Sequence, residues 1–334
     1  MRAIQRLTAL VVAGCAALAV GACDRQPVSP DSAAALDRAS APVAEAVTCQ
    51  PTGTGLSAVV INQSVIDQTV DAAGCDVGIF LDEDGHVVRD ATVEGGGPDA
   101  PAEQFGVRVH GASASVVNST FLAPDDAGGQ LIQIAYVEGA TGKVAGNRLE
   151  GRHRTAVLLR GNGTSATVRD NEVVGVGPIT NGWAENGIQV DQGAGGTIKG
   201  NLVKDHWYAP NTFQSAGVLV FADDVVVGHN EVLDNDMGIA VAGDRNTVLH
   251  NEVAAGYTDQ ETSTFHYGVY LVDGRNNGVR QNTITTESAT YGLYGLIVVG
   301  DNTKLIRNDI SGWATPILNA GTDTKLPPPF DPYD

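Results

Sequence analysis

The side chains best suited to chemistry in this sequence are cations and acids at alternating positions of short apolar runs. Arg108 and His110 share one such run, Arg160 ends a second, and Asp191 ends a third. Alternate residues of a β-strand point to the same face, so we expect these four side chains to share an outward stripe. Arginine, imidazole and carboxylate groups on one surface can transfer protons or bind charged groups.

Aromatic and polar side chains form a second group of candidates, in the longer gaps between the apolar runs. One gap contains Trp183 and Glu185, and the next contains His206, Trp207 and Tyr208. Aromatic rings near carboxylates favour sugar binding, and loops on a rigid scaffold commonly carry function. The alternative is that these rings only pack the loops against the rest of the protein.

A recurring phrase shows which elements must position these side chains. It reads Val, Ile or Leu, any two residues, Asn, any residue, then Val, Ile or Leu. Neighbouring copies are 21 to 31 residues apart. The clear copies are centred on Asn147, Asn171, Asn201, Asn230, Asn251, Asn282 and Asn308, and looser copies surround Asn118 and Asp90. Repeats of this length indicate a solenoid or a related repeat architecture.

A second phrase, Gly followed by Val, Ile or Leu, any residue, and Val or Leu, lies between the markers. It occurs at Gly106, Gly187, Gly217, Gly238, Gly268 and Gly295. Each repeat therefore holds two or three very short strands, and no segment has a helical period. Such strands bury their apolar faces only when stacked in parallel, which predicts a parallel β-helix. In it, Asn should adopt left-handed backbone angles at turns and form a hydrogen-bonded ladder.

On these two phrases the chain resembles the right-handed parallel β-helix superfamily of pectate lyases and of carbohydrate-binding and sugar-hydrolysis repeat domains. The resemblance covers roughly residues 55–315. It implies an all-β, single-stranded right-handed parallel β-helix of about nine to ten coils. The scaffold carries lyases, hydrolases, epimerases, phage tailspikes and binding proteins, so the resemblance is specific for the fold and not for one activity.

The resemblance implies two catalytic hypotheses for the outward stripe. In a polysaccharide lyase, Arg160 would take a proton next to a uronate carboxyl, with His110 and Asp191 beside it. Carboxylate-bound Ca²⁺ would stabilise the anion, but only Asp191 is acidic on the stripe, so no metal ligands are assigned. In a glycoside hydrolase, Glu185 and Asp191 would flank the scissile bond.

Binding of a polysaccharide without turnover is the third hypothesis for the same stripe and loops. It uses polar groups and aromatic rings to form a groove. The candidate substrate-binding residues are Arg108, Gln133, Gln189, Trp183, His206, Trp207 and Tyr208.

The N-terminal residues indicate export and lipid attachment. A basic start is followed by an apolar run from Leu7 to Val20 and by Gly-Ala-Cys ending at Cys23. This order resembles the lipobox of bacterial lipoproteins, which implies a signal peptide over 1–22 and an acylated Cys23. Residues 23–46 are rich in Ala, Pro, Ser and Asp and predict a flexible tether. The protein would then be anchored in the bacterial cell envelope, facing the periplasm or the cell surface.

The rest of the chain divides into the predicted β-helix, residues 47–320, and a Pro-rich C-terminal tail, residues 321–334. Cys49 and Cys75 are an even pair in an exported protein, which favours a disulfide. The net charge of −19 argues against nucleic acid as a partner, because phosphate binding needs a basic surface.

An apolar continuation of the outward stripe supports an alternative function. Its residues are Leu219, Phe221, Tyr270, Ile297 and Val299. An apolar stripe needs a cover, which loops, the C-terminal segment or another subunit could supply. The protein would in that case be a structural or surface-interaction scaffold that forms homo-oligomers.

Overall fold

The structure is a computed structural model that describes residues 48–72, 74–96, 103–124, 130–179, 184–208, 214–255, 266–287 and 292–326. Residues 46–334 form one compact unit. Within the described ranges, no helix is long and apolar enough to cross a membrane. Cys23, Trp183 and the end of the Pro-rich tail lie outside the described residues.

The described chain consists of short strands joined by turns. In chain order the strands are β1 (Gln50–Pro51), β2 (Ser57–Ile61), β3 (Val65–Ile66), β4 (Thr69–Asp71), β5 (Val77–Leu81), β6 (His86–Arg89), β7 (Thr92–Glu94), β8 (Glu103–His110), β9 (Ser113–Val117), β10 (Thr120–Leu122), β11 (Gln130–Val137), β12 (Thr141–Ala145), β13 (Arg148–Glu150), β14 (Thr155–Arg160), β15 (Ser165–Arg169), β16 (Glu172–Ile179), β17 (Asn186–Asp191), β18 (Gly195–Lys199), β19 (Leu202–Tyr208), β20 (Ala216–Phe221), β21 (Val226–Gly228), β22 (Glu231–Leu233), β23 (Met237–Ala242), β24 (Thr247–Leu249), β25 (Glu252–Ala255), β26 (His266–Asp273), β27 (Gly278–Arg280), β28 (Thr283–Thr286), β29 (Gly292–Val298), β30 (Lys304–Ile306), β31 (Asp309–Ser311) and β32 (Thr315–Asn319).

Every third strand joins the same sheet, which gives three sheets that run the length of the coil. The first sheet has twelve strands in the order β1-β2-β5-β8-β11-β14-β17-β20-β23-β26-β29-β32. The second and third sheets have ten strands each, from β3 to β30 and from β4 to β31. All pairings are parallel except that of β1 with β2. The predicted parallel β-helix is therefore confirmed.

Stacked aliphatic residues fill the interior of the coil. One coil contributes Ile188 and Val190 from the first sheet, Ile198 from the second and Val203 from the third, and all four are completely buried. In the first sheet, Val157, Ile188 and Val218 occupy the same register on successive coils. Burying each such side chain contributes about 1.5–3 kcal/mol to the stability of the folded state. A core of stacked branched aliphatics is therefore stable with few aromatic residues.

The marker asparagines form a continuous ladder along one turn of the coil. In each of six steps, Nδ2 of one Asn donates to Oδ1 of the next at 2.9 Å. The backbone N–H also donates to that oxygen, as from Asn171 to Asn201 at 3.1 Å. A second bond from Nδ2 reaches a carbonyl of the preceding coil, as from Asn201 to Val168 at 3.1 Å. The predicted hydrogen-bonded ladder is confirmed.

The backbone explanation for these asparagines is wrong, because the left-handed residue is the one before each marker. Asp170, His229 and His250 have φ values of 56°, 57° and 54°. The looser copies are shifted accordingly: Asn118 is left-handed, with φ of 50°, and Ser119 takes the ladder position. The Ser119 N–H donates to Asn147 Oδ1 at 3.0 Å. The structure therefore uses the side-chain amide of each marker Asn and not a left-handed backbone at that residue.

The glycine of the second phrase is required by close stacking at the start of the first-sheet strands. A Cβ at Gly187 would lie 2.5 Å from the Gly217 carbonyl oxygen and 2.5 Å from Cγ1 of Val203. Backbone atoms cannot move away without breaking the hydrogen bonds between neighbouring strands of the sheet. The phrase therefore marks where each strand enters the first sheet.

The two ends of the coil are closed differently. At the N-terminal end β1 runs antiparallel on the edge of β2. Cys49 beside it forms the predicted disulfide with Cys75. The 26-residue separation corresponds to about 3 kcal/mol of stabilisation. Near the C-terminal end the buried Trp313 packs inside the coil, and its Nε1 donates to the Ile284 carbonyl at 3.1 Å.

Removing one ladder amide should destabilise the fold strongly. Asn201→Ala leaves the N–H and Nδ2 of Asn171 without their acceptor and the Val168 carbonyl without its donor. Because unpaired buried polar groups are costly, we expect a loss of roughly 3 kcal/mol in the free energy of unfolding. Urea denaturation followed by circular dichroism measures it.

The matched control is Asn162→Ala, at an exposed turn residue outside the ladder. It should change the free energy of unfolding by less than about 0.5 kcal/mol. Equal losses in both variants would show that the ladder does not hold the coils together.

Candidate functional site

The candidate site lies on the outward side of the first sheet, which we call the outer face. Strict register places its side chains in rows along the coil axis. The central row is Arg108, Ala135, Leu158, Gln189, Leu219, Ala240 and Tyr270. The neighbouring row is His110, Val137, Arg160, Asp191 and Phe221. The sequence pattern correctly predicted that Arg108, His110, Arg160 and Asp191 share a face.

A hydrogen-bonded network occupies the middle of the outer face. The Arg160 guanidinium binds Asp191 with two parallel contacts of 2.9 Å, Nε to Oδ1 and Nη2 to Oδ2. Gln189 Nε2 donates to the same Asp191 Oδ2 at 2.7 Å. Asp191 is nearly buried, whereas the Arg160 side chain is 31% exposed. The carboxylate is thus held by its partners while the guanidinium edge faces solvent.

Asp191 in turn raises the pKa of Arg160 above its ordinary value, mainly through this hydrogen bond. A guanidinium is charged at every physiological pH, so the shift does not alter its charge. The network presents a fixed fork of N–H donors with a defined orientation.

Arg108 is a cation of a different kind on the same face. Its guanidinium carbon lies 4.7 Å from the centre of the Phe105 ring. Burial lowers its pKa below the ordinary arginine value, while Glu103 and Glu138 act in the opposite direction. No carboxylate of the described residues forms an ion pair with it within 4.0 Å. Arg108 can therefore bind an anionic or hydroxyl-rich group without first losing a partner.

Tyrosines gather further along the outer face. The Tyr267 and Tyr270 rings meet edge to face at 5.8 Å, and the Tyr267 and Tyr294 rings lie 5.9 Å apart. Burial raises the pKa of Tyr267 and of Tyr270, so both hydroxyls stay protonated. None of these tyrosines was a predicted substrate-binding residue. The sequence did place Tyr270 on the outward stripe, as part of its apolar continuation, and the register confirms that position. Tyr267 and Tyr294 each directly precede the glycine of the second phrase.

A second group of polar residues, which we call the corner cluster, is buried where the third sheet leads into the first. It consists of His153, Glu185, His206 and Asn235. The Nε2 atoms of His153 and His206 are 3.0 Å apart, and Glu185 Oε1 is 4.0 Å from His153 Nε2. His206 Nδ1 is 2.9 Å from Asn235 Oδ1. The side chains of His153, Glu185 and His206 are all completely buried.

Burial controls the protonation of the corner cluster. Loss of water raises the pKa of Glu185 well above its ordinary value, although the N–H groups of His153 and Val176 face the carboxyl. Burial lowers the pKa of His206 to about 4. Burial and the neighbouring His206 also lower the pKa of His153. Burial therefore disfavours the charged form of all three titratable groups in the cluster.

The corner cluster corrects several predictions from the sequence. Glu185 and His206 were expected to reach substrate from open loops, but both are enclosed. Trp207 and Tyr208 belong to the buried end of β19, with 7% and 4% exposure. Strand β19 continues through these two residues before the chain leaves the third sheet, so both side chains pack against the coil and do not project from a loop. His153, which lies next to both Glu185 and His206, was not predicted as a site residue.

Gln133 was expected on the outward stripe, and this prediction is wrong. It takes the register position of Gly106 in the preceding coil and of Ala156 in the next, with its side chain turned into the interior and 1% exposed. Its Nε2 donates to the Glu150 carbonyl at 2.8 Å. Gln133 and the next residue, Ile134, both pack inward, so the alternation of inward and outward side chains is interrupted here, which strict period-two counting cannot detect.

The four long connections that contain the aromatic candidates all begin at strands of a single sheet. They follow β16, β19, β25 and β28, all of which are strands of the third sheet. Trp183 belongs to one of them and lies outside the described residues. Among the described residues, no three His, Cys, Asp or Glu side chains have the arrangement of a metal site.

The family comparison agrees with the observed coil. The family model described as "Right handed beta helix region" matches residues 53–206 and 132–310. No characterised protein sequence matches the chain significantly.

Solved structures with a similar fold include a phage tailspike and two alginate-processing enzymes. The Dettilon tailspike is 13% identical with a TM-score of 0.40, over 72% of this chain and 62% of the tailspike. A variant of the periplasmic alginate epimerase AlgG is 12% identical with a TM-score of 0.42, over 74% of this chain and 69% of the epimerase. An alginate lyase from Paenibacillus sp. is 11% identical with a TM-score of 0.37, over 76% and 99%. These likenesses concern the fold alone.

The Arg160–Asp191 pair should be measurably coupled. A double-mutant cycle with Arg160→Gln and Asp191→Asn removes both charges while it keeps a polar side chain at each position. The pair is bidentate and half-buried, so we expect a coupling of about 1–2 kcal/mol in the free energy of unfolding, weaker at high salt. A coupling below about 0.3 kcal/mol, as for many exposed pairs, would contradict a fixed network.

Proposed function

The chain belongs to the right-handed β-helix family, and on that premise we propose that its outer face binds a polysaccharide at the bacterial cell envelope. The observation that carries the proposal is the shared register of Arg108, Gln189 and Tyr270 in one outward row. At about 4.8 Å per coil, the six steps from Arg108 to Tyr270 span about 29 Å. That length suits a chain of several sugar units.

The chemistry of the row suits a saccharide. Arg108 and the Arg160 fork offer N–H donors, while Gln189 and Asp191 offer a fixed amide and carboxylate. The tyrosines supply flat rings that are partly apolar and carry a hydroxyl. Groups that suit a hydroxyl-rich polymer stand at both ends and in the middle of the row, at Arg108, Gln189 and Tyr270, and the coils between them present buried apolar side chains. A compact small molecule would use only one or two coils of this face.

The outer face favours binding over turnover. A hydrolase needs two carboxyl groups that flank the scissile bond. Asp191 is committed to Arg160 and Gln189, and Glu185 is enclosed in the corner cluster. A lyase needs a base with a free lone pair, and Arg160 is held fully charged by Asp191. We therefore propose that Arg160, Asp191 and His110, the candidates for catalysis, bind the ligand and do not act on it.

Envelope attachment is the second part of the proposal. The basic start, the apolar run and the triplet ending at Cys23 support acylation of that cysteine, and the polar stretch to residue 46 supports a tether. Several acyl chains on one residue hold a protein on a membrane far more firmly than one chain does. The tether would leave the β-helix free to meet a polymer in the envelope.

Substitutions on the outer face should weaken polysaccharide binding. Affinity gel electrophoresis of the full chain in gels that contain alginate, polygalacturonate or dextran gives a retardation constant for each polymer. For the polymer that retards the protein, Arg160→Ala and Tyr270→Ala should each raise the dissociation constant about tenfold or more. The reason is loss of the N–H fork in one case and of a stacking ring in the other.

The control is Arg245→Ala, on an exposed turn where Arg245 pairs with Asp224 and Asp223. It removes the same charge away from the outer face and should leave retardation unchanged. Retardation by none of several acidic and neutral polymers, or equal loss in all three variants, would reject the outer face as a polysaccharide site. Self-association in place of binding, abolished by Phe221→Asp, would favour the scaffold function.

Lipid attachment predicts a change of compartment on one substitution. Cells that express the wild-type chain and are fed radioactive palmitate should yield a labelled, membrane-associated protein. Cys23→Ser should yield an unlabelled protein in the soluble fraction, because the acylated sulfur is gone. An unlabelled wild-type protein, or a labelled Cys23→Ser variant, would disprove acylation at this residue.

A further inference from the structure

The hydrogen bonds of the corner cluster determine where its protons lie. The Asn235 amide nitrogen donates to the carbonyls of Val203 and Leu233, so its Oδ1 is an acceptor. His206 Nδ1 must therefore carry the hydrogen that fills the 2.9 Å contact with Asn235. His206 Nε2 is then a bare nitrogen, and the 3.0 Å contact with His153 requires an N–H on His153 Nε2. The two rings are joined by one hydrogen.

A further proton cannot be added to this pair without cost. On His206 Nε2 it would place two N–H groups against each other at 3.0 Å and push the rings apart. On His153 Nδ1 it would lie on an atom that has no hydrogen-bond partner among the described residues, although the Gly151 backbone favours the protonated ring. It would then make a cation in a space without water, where an uncompensated charge is strongly unfavourable. A further proton therefore either separates the two imidazole rings or leaves an uncompensated positive charge in the protein interior.

The surrounding elements offer little compensation for such a charge. Arg152, a cation, faces Glu185. Asp236 already accepts hydrogen bonds from the backbone of Tyr208 and of Ser215, at 2.7 and 3.1 Å. The other charged and titratable groups around the corner are Lys204, Asp205, Asp234 and His266.

The cluster is continuous with the outer face through two strands. His153 is followed by Arg154, whose Nη1 donates to Gln130 at 2.6 Å beside β14. Glu185 is followed by Asn186, which donates to Gln189 at 3.3 Å, and Gln189 holds Asp191. Movement of the corner would thus displace the start of β14 and β17, the strands that carry the Arg160–Asp191 network.

We infer that the corner cluster is an acid-sensitive latch, in which uptake of a further proton separates His153 from His206 and loosens the entry of β14 and β17 into the first sheet. The consequence for ligand binding on the outer face rests on the proposed function, whereas the latch itself does not. Acidic conditions outside the cell would then release a bound polymer although no group that contacts it has titrated.

The sign of the pH dependence follows from the two kinds of group. The imidazoles have lowered pKa values in the fold, about 4 for His206 against 6.5 for the free side chain. The open form therefore takes up protons first, and the closed corner loses stability as the pH falls from about 6.5 towards 4. Glu185 has a raised pKa, so its contribution declines as the pH rises above 4.5. The closed corner should be most stable near pH 6.5.

Hydrogen exchange of the full chain, followed by mass spectrometry at pH 6.5 and pH 4.5, tests the latch without any ligand. After correction for the intrinsic rates, exchange in peptides over residues 151–160, 184–191 and 202–208 should be about tenfold faster or more at the lower pH. Peptides over residues 278–286 and 304–311, in distant coils, should show no such increase. A uniform increase over all peptides, or none in the corner, would overturn the inference.

Two variants distinguish titration of the imidazoles from general loosening. The double variant His153→Gln with His206→Gln keeps polar side chains but cannot take up the proton, and its corner peptides should show no acceleration at pH 4.5. Glu185→Gln keeps both imidazoles and should retain the acid response. Unchanged exchange in the distant coils at pH 6.5 verifies that each variant is folded. An identical acid response in the double variant would disprove the latch.

A separate experiment tests the effect of the latch on polymer binding. Retardation of the wild type in a gel of the binding polymer should fall between pH 6.5 and pH 4.5, and retardation of the double variant should not. If no polymer binds at pH 6.5, the proposed function fails while the exchange result still decides the latch. An equal fall in both proteins would show that acid acts on the outer face directly.

Discussion

The asparagine ladder is the constraint on which the rest of the structure depends. A coil of four-residue strands has no local stability, and each coil is held by those above and below it. Parallel strands could slip by one or two residues, which would turn the core side chains outward. A side-chain amide that binds the amide of the next coil at 2.9 Å in every step fixes that register. The close approach at Gly187 depends on the same alignment.

Fixed register converts a linear sequence into rows of side chains. Residues about 30 positions apart, such as Arg160 and Asp191, become direct neighbours and form a bidentate pair. The same rule aligns tyrosines from different coils into one aromatic group. It also brings His153 and His206 together inside a corner, where burial rather than exposure decides their protonation. One repeat geometry thus produces both the rows of the outer face and an enclosed polar cluster.

The sequence could predict whatever depends on period and register, and it failed where a local bend or a loop decides. The core, the ladder and the shared face of Arg108, Arg160 and Asp191 follow from spacing alone, and the disulfide follows from the even number of cysteines left in an exported chain. Gln133 was misplaced because the alternation of inward and outward side chains is interrupted at this residue. His206 and Trp207 were taken for loop residues because a strand end and a loop look alike in composition. Only the structure shows that β19 continues to Tyr208 before the chain leaves the sheet.

Hydroxyl-radical footprinting with and without a bound polysaccharide tests the outer face most directly. The method reports solvent access to individual aromatic side chains without any substitution. We predict that Tyr267, Tyr270 and Tyr294 become protected together when the polymer binds, while the exposed His229 and His250 on another side of the coil stay reactive. Protection of the histidines, with the three tyrosines unchanged, would contradict the account.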